Sequence, residues 1–301
     1  MVELSCEGDI RYAKTFMKAY GGDAINTAVA ARRLGSKASF ITRLGDDAFA
    51  VVLKETMLKE GLEISGVRHG DGQTGVYFVA VDTDGEREFS YYRQNSAASH
   101  LGSDDINPKL IAEAKVVFAS GVTLALSKNA RQAVRKAFSI AREHGVTTAF
   151  DPNYRPNLWK SQEEALDALT EILPLVDVIL PTSHDDTQDI VGFSRPEQVI
   201  DYFLFKGCKL VVAKVGQRGC YLGYQKHVEH VPAMTVKAVD TTGAGDAFNG
   251  GFLHGLATGQ SLIDCARLAN TTAGLKVLNR GTISAMPYRD AVYSRVFSAV
   301  H

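Results

Sequence analysis

The chain has 301 residues, 45% of them apolar and 22% charged, a composition typical of a globular protein large enough for one substantial domain. A formal net charge of -1 provides no field to recruit nucleic acid or a membrane surface, and no apolar run reaches the roughly 18 residues of a membrane helix. The four cysteines are scattered, the eight histidines show no ligand spacing, and the acidic N-terminus does not resemble a signal peptide. These features predict a reduced, cytoplasmic protein without a zinc site or a disulfide framework.

The first predicted functional segment is a helix start at residues 21–28, which read Gly-Gly-Asp-Ala-Ile-Asn-Thr-Ala. Paired glycines, Gly21 and Gly22, allow a backbone to approach a ligand closely, and Asn26 can hydrogen-bond hydroxyl groups. An ordinary helix N-terminus capped by Asp23 is the competing interpretation. It accounts for Asp23 but leaves the two glycines unexplained.

Residues 74–93 predict a β-hairpin. An apolar run at 74–81 is followed by a turn at 82–85 with Asp-Gly chemistry and by a second run at 86–93 that places aromatic residues beside charges. Mixed aromatic and charged residues suit a sheet with one face in water. We interpret the hairpin as part of a small lid over a site.

From about residue 110 onward, short apolar strands alternate with longer helical patterns. The predicted strands are 116–120, 148–151, 178–180 and 210–215, and the predicted helices are 128–144, 162–173 and 196–207. The strands are rich in Val, Ile, Leu, Phe and Ala and lack polar alternation, as expected for strands buried on both faces. The pattern predicts an α/β fold of three layers, α/β/α, with a mostly parallel sheet and the small β lid.

Two arginines follow predicted strands and point to an acidic ligand. Arg93 stands beside aromatic residues at the end of the hairpin, and Arg155 lies just beyond the strand that ends at Asp151, where open α/β sheets bind ligands. Arginine is the side chain best shaped to hold a carboxylate with two parallel hydrogen bonds. For Arg93 the competing interpretation is a solvated charge on a strand.

The most specific motif is Asp-Thr-Thr-Gly-Ala-Gly-Asp-Ala-Phe at 240–248, ahead of an amphipathic helical pattern. Here the backbone of Gly243, Ala244 and Gly245 can direct N–H groups at one point, and the positive helix end completes an anion hole. Asp246 in the first turn can cap the helix and also accept a proton from an attacking hydroxyl. A plain capped helix is the competing interpretation, but the full string is far more specific than a single Gly-x-Gly-Asp.

The order of these motifs resembles that of the ribokinase-like (PfkB) carbohydrate kinases along nearly the whole chain. The matching stretches are 21–28 followed by Leu34-Gly35, Arg-Leu-Gly-Asp-Asp at 43–47, Lys-Val-Gly-Gln-Arg-Gly at 214–219, and 240–246. The resemblance implies one kinase domain over residues 1–301, with lid segments at about 3–20 and 74–96. It also implies ATP-dependent phosphorylation with Asp246 as the base. A Walker A string is absent, which argues against a P-loop kinase.

The strings around Arg93 and Arg155 resemble those of 2-keto-3-deoxygluconate kinases, which phosphorylate the terminal 6-hydroxyl of that sugar acid. The resemblance implies sugar contacts from Glu3, Gly22, Asn26, Tyr77, Tyr91, Arg93, Arg155 and Asp246. It implies ATP contacts from Asn153, Arg155, Lys214, Gly216, Gly219, Gly243 and Gly245.

ATP and Mg²⁺ are the cofactors that the resemblance implies. Many relatives carry Asn-x-x-Glu after the strand that ends at Leu180, where it organises magnesium-bound water. This chain has Pro-Thr-Ser-His-Asp-Asp at 181–186, so Asp185 replaces the Glu as the candidate metal residue and a Thr replaces the Asn. The family also commonly uses a monovalent cation such as K⁺ beside the anion hole, and the residues leave its use here open. We expect a homo-oligomer whose partners are a sugar acid and ATP.

Other functions stay open on the sequence. A fructokinase, a ribokinase or a 5-keto-2-deoxygluconate kinase would share these motifs, and a nucleoside kinase is less favoured. A non-catalytic sensor of sugar acids would keep the fold without turnover. The intact 243–246 string argues against a sensor, because a sensor needs no base.

The start of the chain also carries an expectation. Relatives usually begin with a buried apolar strand before a stretch like Met-Val-Glu-Leu at 1–4. We expect the natural protein to begin roughly ten residues upstream, or this form to be unstable and poorly active, with Glu3 on a fraying terminus.

Overall fold

A computed structural model of the protein describes residues 1–81, 87–183 and 187–297. In these ranges the strands are β1 (Val2–Glu7), β2 (Met17–Tyr20), β3 (Thr42–Leu44), β4 (Val67–His69), β5 (Val76–Val81), β6 (Arg87–Tyr92), β7 (Val116–Ser120), β8 (Thr147–Asp151), β9 (Val178–Ile179), β10 (Leu210–Lys214), β11 (Cys220–Tyr224) and β12 (His227–Val231). The helices are α1 (Asp23–Arg33), α2 (Ala48–Lys59), α3 (Pro108–Ala112), α4 (Gly121–Leu124), α5 (Lys128–Glu143), α6 (Gln162–Ile172), α7 (Thr187–Val191), α8 (Pro196–Phe205), α9 (Ala244–Ala257), α10 (Leu262–Lys276) and α11 (Arg289–Phe297).

The larger sheet has six strands in the order β12-β11-β10-β9-β8-β7. Strands β7 to β10 are parallel, and β11 and β12 add to the β10 side as an antiparallel hairpin. Helices connect the parallel strands, as crossovers between parallel strands require. The strands and helices predicted after residue 110 are confirmed, because their ends differ from the observed ones by at most about two residues.

Side chains of the parallel strands alternate between two apolar layers, because successive residues of a strand point to opposite faces. Ala149 and Val178 pack in one cluster with Phe252 of α9, whereas their neighbours Phe150 and Ile179 pack in the other cluster. That second cluster holds residues of α5, α6 and α8. The three-layer α/β/α prediction is therefore confirmed, with α9 and α10 on one face of the sheet and α5, α6 and α8 on the other.

A separate four-stranded sheet has the order β2-β1-β5-β6. The predicted hairpin is confirmed, because β5 and β6 pair antiparallel with Tyr77 opposite Tyr91. Its predicted turn lies outside the described residues. Strand β1 places Glu3 beside Tyr77 in the same row, so Glu3, Tyr77 and Tyr91 share one face of this sheet.

The expectation that Glu3 sits on a fraying terminus is wrong. Strand β1 lies between β2 and β5 and pairs with both, and the Met1 ammonium donates a 2.9 Å hydrogen bond to the carbonyl of Gly21. Pairing on both edges holds a strand even when it is close to a chain end. Glu3 is buried as a result.

The remaining elements join the two sheets. Strands β3 and β4 form a short parallel pair, and α1 packs along α9. None of the helices in the described ranges combines the length and the apolar character needed to span a membrane.

Candidate active site

The loop that precedes α9 is shaped to receive an anion. Gly243 caps the helix with a φ of 74°, a left-handed conformation that favours glycine. Asp240 holds the loop from its other end, because its carboxylate accepts hydrogen bonds from the N–H groups of Thr242 at 2.7 Å and Gly281 at 2.8 Å. The first-turn N–H groups of α9 have no acceptor within the helix, so they can bind a negatively charged oxygen.

The structure refines which backbone groups are available in this loop. The N–H of Ala244 donates to the carbonyl of Thr241 at 3.0 Å, so it closes a turn. Ala244, which the sequence predicts among the donors to the anion, therefore has its N–H engaged within the loop. Gly245 and Asp246, the next two residues of the first turn, carry the N–H groups that α9 itself cannot satisfy.

Asp246 is the third residue of α9, and its carboxylate faces α1. Its Oδ2 accepts a 2.8 Å hydrogen bond from Nδ2 of Asn26. Burial and the nearby charges of Asp23 and Asp151 raise the pKa of Asp246 to about 7, against the opposing effects of Asn26 and Lys214. The expected capping role is wrong, since α9 has no side-chain cap. A carboxylate with a pKa near neutrality is suited to accept a proton.

A buried polar cluster lies beneath the anion hole at the carboxyl ends of β8 and β10. The ammonium of Lys214 is 2.7 Å from Oδ2 of Asp151 and 3.3 Å from Oδ1 of Asn249. Asn249 donates to the same Asp151 oxygen at 2.5 Å. A Cβ added at Gly245 would lie 3.8 Å from the Lys214 nitrogen. Lys214 therefore places a positive charge under the loop, with its ammonium engaged inside the protein rather than extended towards a nucleotide in solvent.

Three further nucleotide candidates lie at the same edge of the large sheet. Gly216 and Gly219 flank the tight turn between β10 and β11, and a side chain at Gly219 would collide with the carbonyl of Val231. Asn153 follows β8 with a φ of 34° and donates its N–H to Asp151 at 3.1 Å. Asp185, the candidate metal residue, lies outside the described residues.

The smaller sheet presents its polar face to the same site. The hydroxyl of Tyr77 donates to the carboxylate of Glu3, and burial together with Glu3 and Asp246 raises the pKa of Tyr77. Gly21 fits closely here, because a Cβ at Gly21 would lie 2.8 Å from Oγ1 of Thr282 and 3.1 Å from the Tyr77 hydroxyl. Glu3, Tyr77 and Asp246 are thus brought together from positions far apart in the chain.

Asp23 does not cap α1, so the competing interpretation of this residue is wrong. Gly22 is the N-cap with a φ of 146°, and Asp23 is the first helical residue. One carboxylate oxygen of Asp23, Oδ2, is buried without a hydrogen-bond partner among the described residues. Its charge acts on Asp246, on Arg93 and on the N-terminal ammonium. Asp23 therefore belongs to the site.

The arginines named from the sequence converge on Tyr91. Burial raises the pKa of Tyr91, and the positive charges of Arg155 and Arg93 oppose that rise. Arg155 is exposed and donates to the carbonyl of Tyr154 at 3.0 Å. Burial lowers the pKa of Arg93, and its Nε and Nη1 atoms have no hydrogen-bond partner in the part of the chain that the structure describes. Two unsatisfied donors on a guanidinium indicate a place for an anionic ligand.

Several residues of the site were not predicted from the sequence to have a role in it. They are Asp23, Asp151, Asn249, Thr282 and the pair Asp240–Lys276. Asn249 stands three residues after Asp246 on α9, so helical spacing could have found it. Lys276 and Thr282 come close to the loop only through the packing of α10 and the segment after it, and no local signal marks them.

Comparisons with known proteins agree on one family. A family model described as pfkB family carbohydrate kinase matches residues 1–289. The chain is 35% identical over 283 residues to a 2-dehydro-3-deoxygluconokinase of Thermoproteus tenax, covering 93% of this chain and 86% of that protein. It is 34% identical over 284 residues to fructokinase-1 of Zea mays, covering 91% and 87%. A crystal structure of fructokinase with bound ATP from Xylella fastidiosa superposes with a TM-score of 0.89 at 25% identity, covering 100% of this chain and 97% of that chain.

Proposed function

The chain belongs to the pfkB family of carbohydrate kinases, and within that family we propose that it transfers a phosphoryl group from ATP to the terminal hydroxyl of 2-keto-3-deoxygluconate, giving the 6-phosphate. The observation that carries this choice of sugar is the buried guanidinium of Arg93 with two unsatisfied donors, close to Tyr91 and Arg155. A substrate carboxylate would satisfy those donors. A neutral sugar would leave these buried donors without a charged hydrogen-bond acceptor, which is costly.

In this proposal Asp246 accepts the proton of the attacking hydroxyl. Its pKa of about 7 leaves it ready to take a proton near neutral pH, and Asn26 holds its carboxylate in place. The N–H groups of Gly245 and Asp246 and the helix end stabilise negative charge on the transferring phosphoryl group, with Gly243 setting the turn that aims them. Lys214 adds positive charge from below while Asp151 and Asn249 fix its position.

The sugar would lie between α1 and the polar face of the smaller sheet. Glu3, Tyr77 and Asn26 supply hydrogen-bonding groups for hydroxyls. Gly22, which has no side chain, would let the sugar approach the backbone at the start of α1. The carboxylate end would extend towards Arg93 and Arg155 and away from Asp246. This direction matches phosphorylation of the hydroxyl farthest from the acid group.

ATP would bind along the carboxyl ends of β8 and β10. There Asn153, Arg155, Gly216 and Gly219 border the site from the side of the large sheet. Mg²⁺ would arrive on the ATP phosphates, where it neutralises their charge, and it needs only one or two protein carboxylates. Among the described residues, no group of three or more His, Cys, Asp and Glu side chains is placed to hold a metal ion. Asp185 stays a prediction as its ligand.

The smaller sheet is proposed as a lid, and its outer face as the contact with a second copy of the chain. That outer face carries Leu4, Val76, Phe78 and Tyr92 around an apolar groove. The sheet also ends in two edge strands, β2 and β6, whose outer backbone groups can pair with another strand. Light scattering of the purified protein would give the number of copies.

A cytoplasmic location is part of the proposal. All four cysteines are buried and free, and burial raises the pKa of the Cys208, Cys220 and Cys265 thiols to about 12. Buried cysteines that stay as protonated thiols, without disulfide bonds, are typical of proteins in a reducing compartment.

A fructokinase is the second candidate, because the fructokinase of Zea mays is as similar to this chain as the sugar-acid kinase is. The deciding experiment measures ADP release with 2-keto-3-deoxygluconate, its galactonate epimer, fructose, ribose and 5-keto-2-deoxygluconate, each over the same series of concentrations. We expect the highest kcat/KM with a 2-keto-3-deoxy sugar acid. Equal or higher kcat/KM with fructose or ribose would overturn the choice of sugar and leave the kinase assignment intact.

A further inference from the structure

A lysine with no exposed surface lies directly under the anion-hole loop. Lys276 is the last residue of α10, and its Nζ donates a 2.8 Å hydrogen bond to the backbone carbonyl of Asp240. The same nitrogen is 3.6 Å from Oδ1 of Asp240, whose side chain is also buried. A charge buried in this way is strongly unfavourable unless it is paired, so the Lys276–Asp240 pair is a required part of this structure.

Asp240 links this ammonium to the backbone that forms the anion hole. The Asp240 carboxylate accepts hydrogen bonds from the N–H groups of Thr242 and Gly281. The carbonyl of Val277, the residue after Lys276, accepts hydrogen bonds from the N–H groups of Val239 and Asp240. The end of α10 therefore supports the loop from below. The position at a helix C-terminus also favours a positive charge, because unsatisfied carbonyls accumulate there.

The oxygens around Lys276 are those that would hold a free cation. Carbonyl and carboxylate oxygens are the donors preferred by hard cations, and K⁺ and an ammonium group carry the same charge. A monovalent cation beside this loop would share the oxygens of Asp240 with the Lys276 ammonium and would meet its like charge at close range. The residues present do not fit an added cation at this position.

We propose that Lys276 is a built-in cation of the anion-hole loop, which positions the loop and makes the enzyme independent of K⁺. Lys276 is a positioning residue, since it acts through Asp240 rather than on the substrate. The inference rests on the kinase activity of the family and is independent of the choice of sugar.

The first test uses the unaltered protein. Turnover is measured with the sugar that gives most ADP in the substrate screen, in potassium chloride and in tetramethylammonium chloride at equal ionic strength. We expect the same turnover and the same thermal midpoint in both salts. A turnover that collapses when K⁺ is withdrawn, or a midpoint raised specifically by K⁺, would overturn the proposal. The thermal measurement needs no substrate, so it also stands if every sugar in the screen fails.

The second test removes the ammonium. In Lys276→Thr the smaller side chain leaves room for an ion beside Asp240, and turnover in tetramethylammonium should fall by at least about tenfold because the loop is displaced. Potassium should restore part of the turnover and raise the thermal midpoint of this variant in a saturable way. Full turnover of Lys276→Thr in both salts would contradict the positioning role. If the variant does not fold, the measurements on the unaltered protein still decide the question of K⁺.

A matched control is available in Lys136→Thr. Lys136 also donates its ammonium to a backbone carbonyl, that of Ser103 at 2.9 Å, but it lies on α5, away from the loop. The control should show no loss of turnover and no response to K⁺. A response in the control equal to that of Lys276→Thr would show a general effect of salt and contradict the specific role of Lys276.

Discussion

Asn26 donates a 2.8 Å hydrogen bond through Nδ2 to Oδ2 of Asp246, and so joins residues that are 220 positions apart in the chain. Asn26 belongs to α1, at the start of the proposed sugar site, and Asp246 belongs to α9, at the proposed anion hole. One hydrogen bond therefore connects the two halves of the site. It fixes the rotamer of the proposed base and leaves its other oxygen for the substrate hydroxyl.

Removal of the proposed base should abolish most of the activity. Asp246→Asn keeps the size of the side chain but cannot accept a proton, so turnover should fall by at least the roughly 100-fold associated with loss of a general base. Steady-state kinetics and nucleotide binding by calorimetry would separate chemistry from binding. Asp167→Asn on the exposed face of α6 is the control and should be unaffected. Near-normal turnover of Asp246→Asn would remove this residue from the mechanism.

The fall of kcat/KM at low pH, the acid limb of its pH profile, should depend on Asn26. With a pKa of about 7 for Asp246, kcat/KM should fall about tenfold for each pH unit below that value. The Asn26 hydrogen bond lowers this pKa, so Asn26→Leu should move the limb to higher pH. The control, Asn129→Leu at an exposed position near the start of α5, should leave this dependence on pH unchanged. A limb that stays unchanged in Asn26→Leu would argue that Asp246 is not the titrating group.

Asp246 should also make the free protein less stable as the pH rises. Its folded pKa of about 7 lies above the ordinary value of 3.8, so the folded state holds a proton that the unfolded state has lost between these values. This stabilising protonation is lost as the pH rises through 7. Asp246→Asn should therefore unfold like the original protein near pH 4 and exceed its free energy of unfolding by about 4 kcal/mol at pH 8, because the pKa is raised from 3.8 to about 7 and each pKa unit corresponds to about 1.4 kcal/mol. Urea unfolding at both pH values is the measurement, and equal stability at pH 8 would contradict the raised pKa.

The arginines should matter more for an acid than for a neutral sugar. Arg155→Leu and Arg93→Met should each weaken binding of 2-keto-3-deoxygluconate by about 1.5–3 kcal/mol, the scale of charged hydrogen bonds. Fructose should be affected far less, and ATP affinity must be measured separately because Arg155 also borders the proposed nucleotide site. Arg135→Leu on the exposed face of α5 is the control. Equal losses for the acid and for fructose would refute recognition of a carboxylate.

The smaller sheet should become more protected when substrates bind. Phosphoryl transfer requires that water be excluded, and the sheet carries Glu3, Tyr77 and Tyr91 on the face that meets the site. Hydrogen exchange of β5 and β6 should slow when sugar acid and a non-hydrolysable ATP analogue are added. Strand β9 inside the large sheet serves as the reference and should not change. Hydrogen-exchange rates in β5 and β6 that stay the same with both ligands bound would contradict the role of a lid.

Local patterns were sufficient for the elements of the large sheet. Val116–Ser120 and Leu210–Lys214 are apolar strands between helical stretches, and burial on both faces makes such strands uniform in composition. The pair of glycines at 21–22 and the loop at 240–246 were also identified, because glycine before a helix leaves a clear local signal. Capping was predicted less well: Asp23 and Asp246 both have the residue type of a cap, yet both carboxylates turn into the site.

The sequence by itself predicted the fold class and the family, because both leave patterns in the order of residues along the chain. The short string at 240–246 also indicated Asp246 as the proposed base. Only the tertiary structure decided what acts on those residues. The pKa of Asp246 depends on Asp23, Asn26, Asp151 and Lys214, which come from three other parts of the chain. Likewise, Lys276 meets Asp240 only because α10 packs against α9 and returns to the loop. Electrostatic effects depend on distance in space and on burial, and neither quantity is present in the order of the residues.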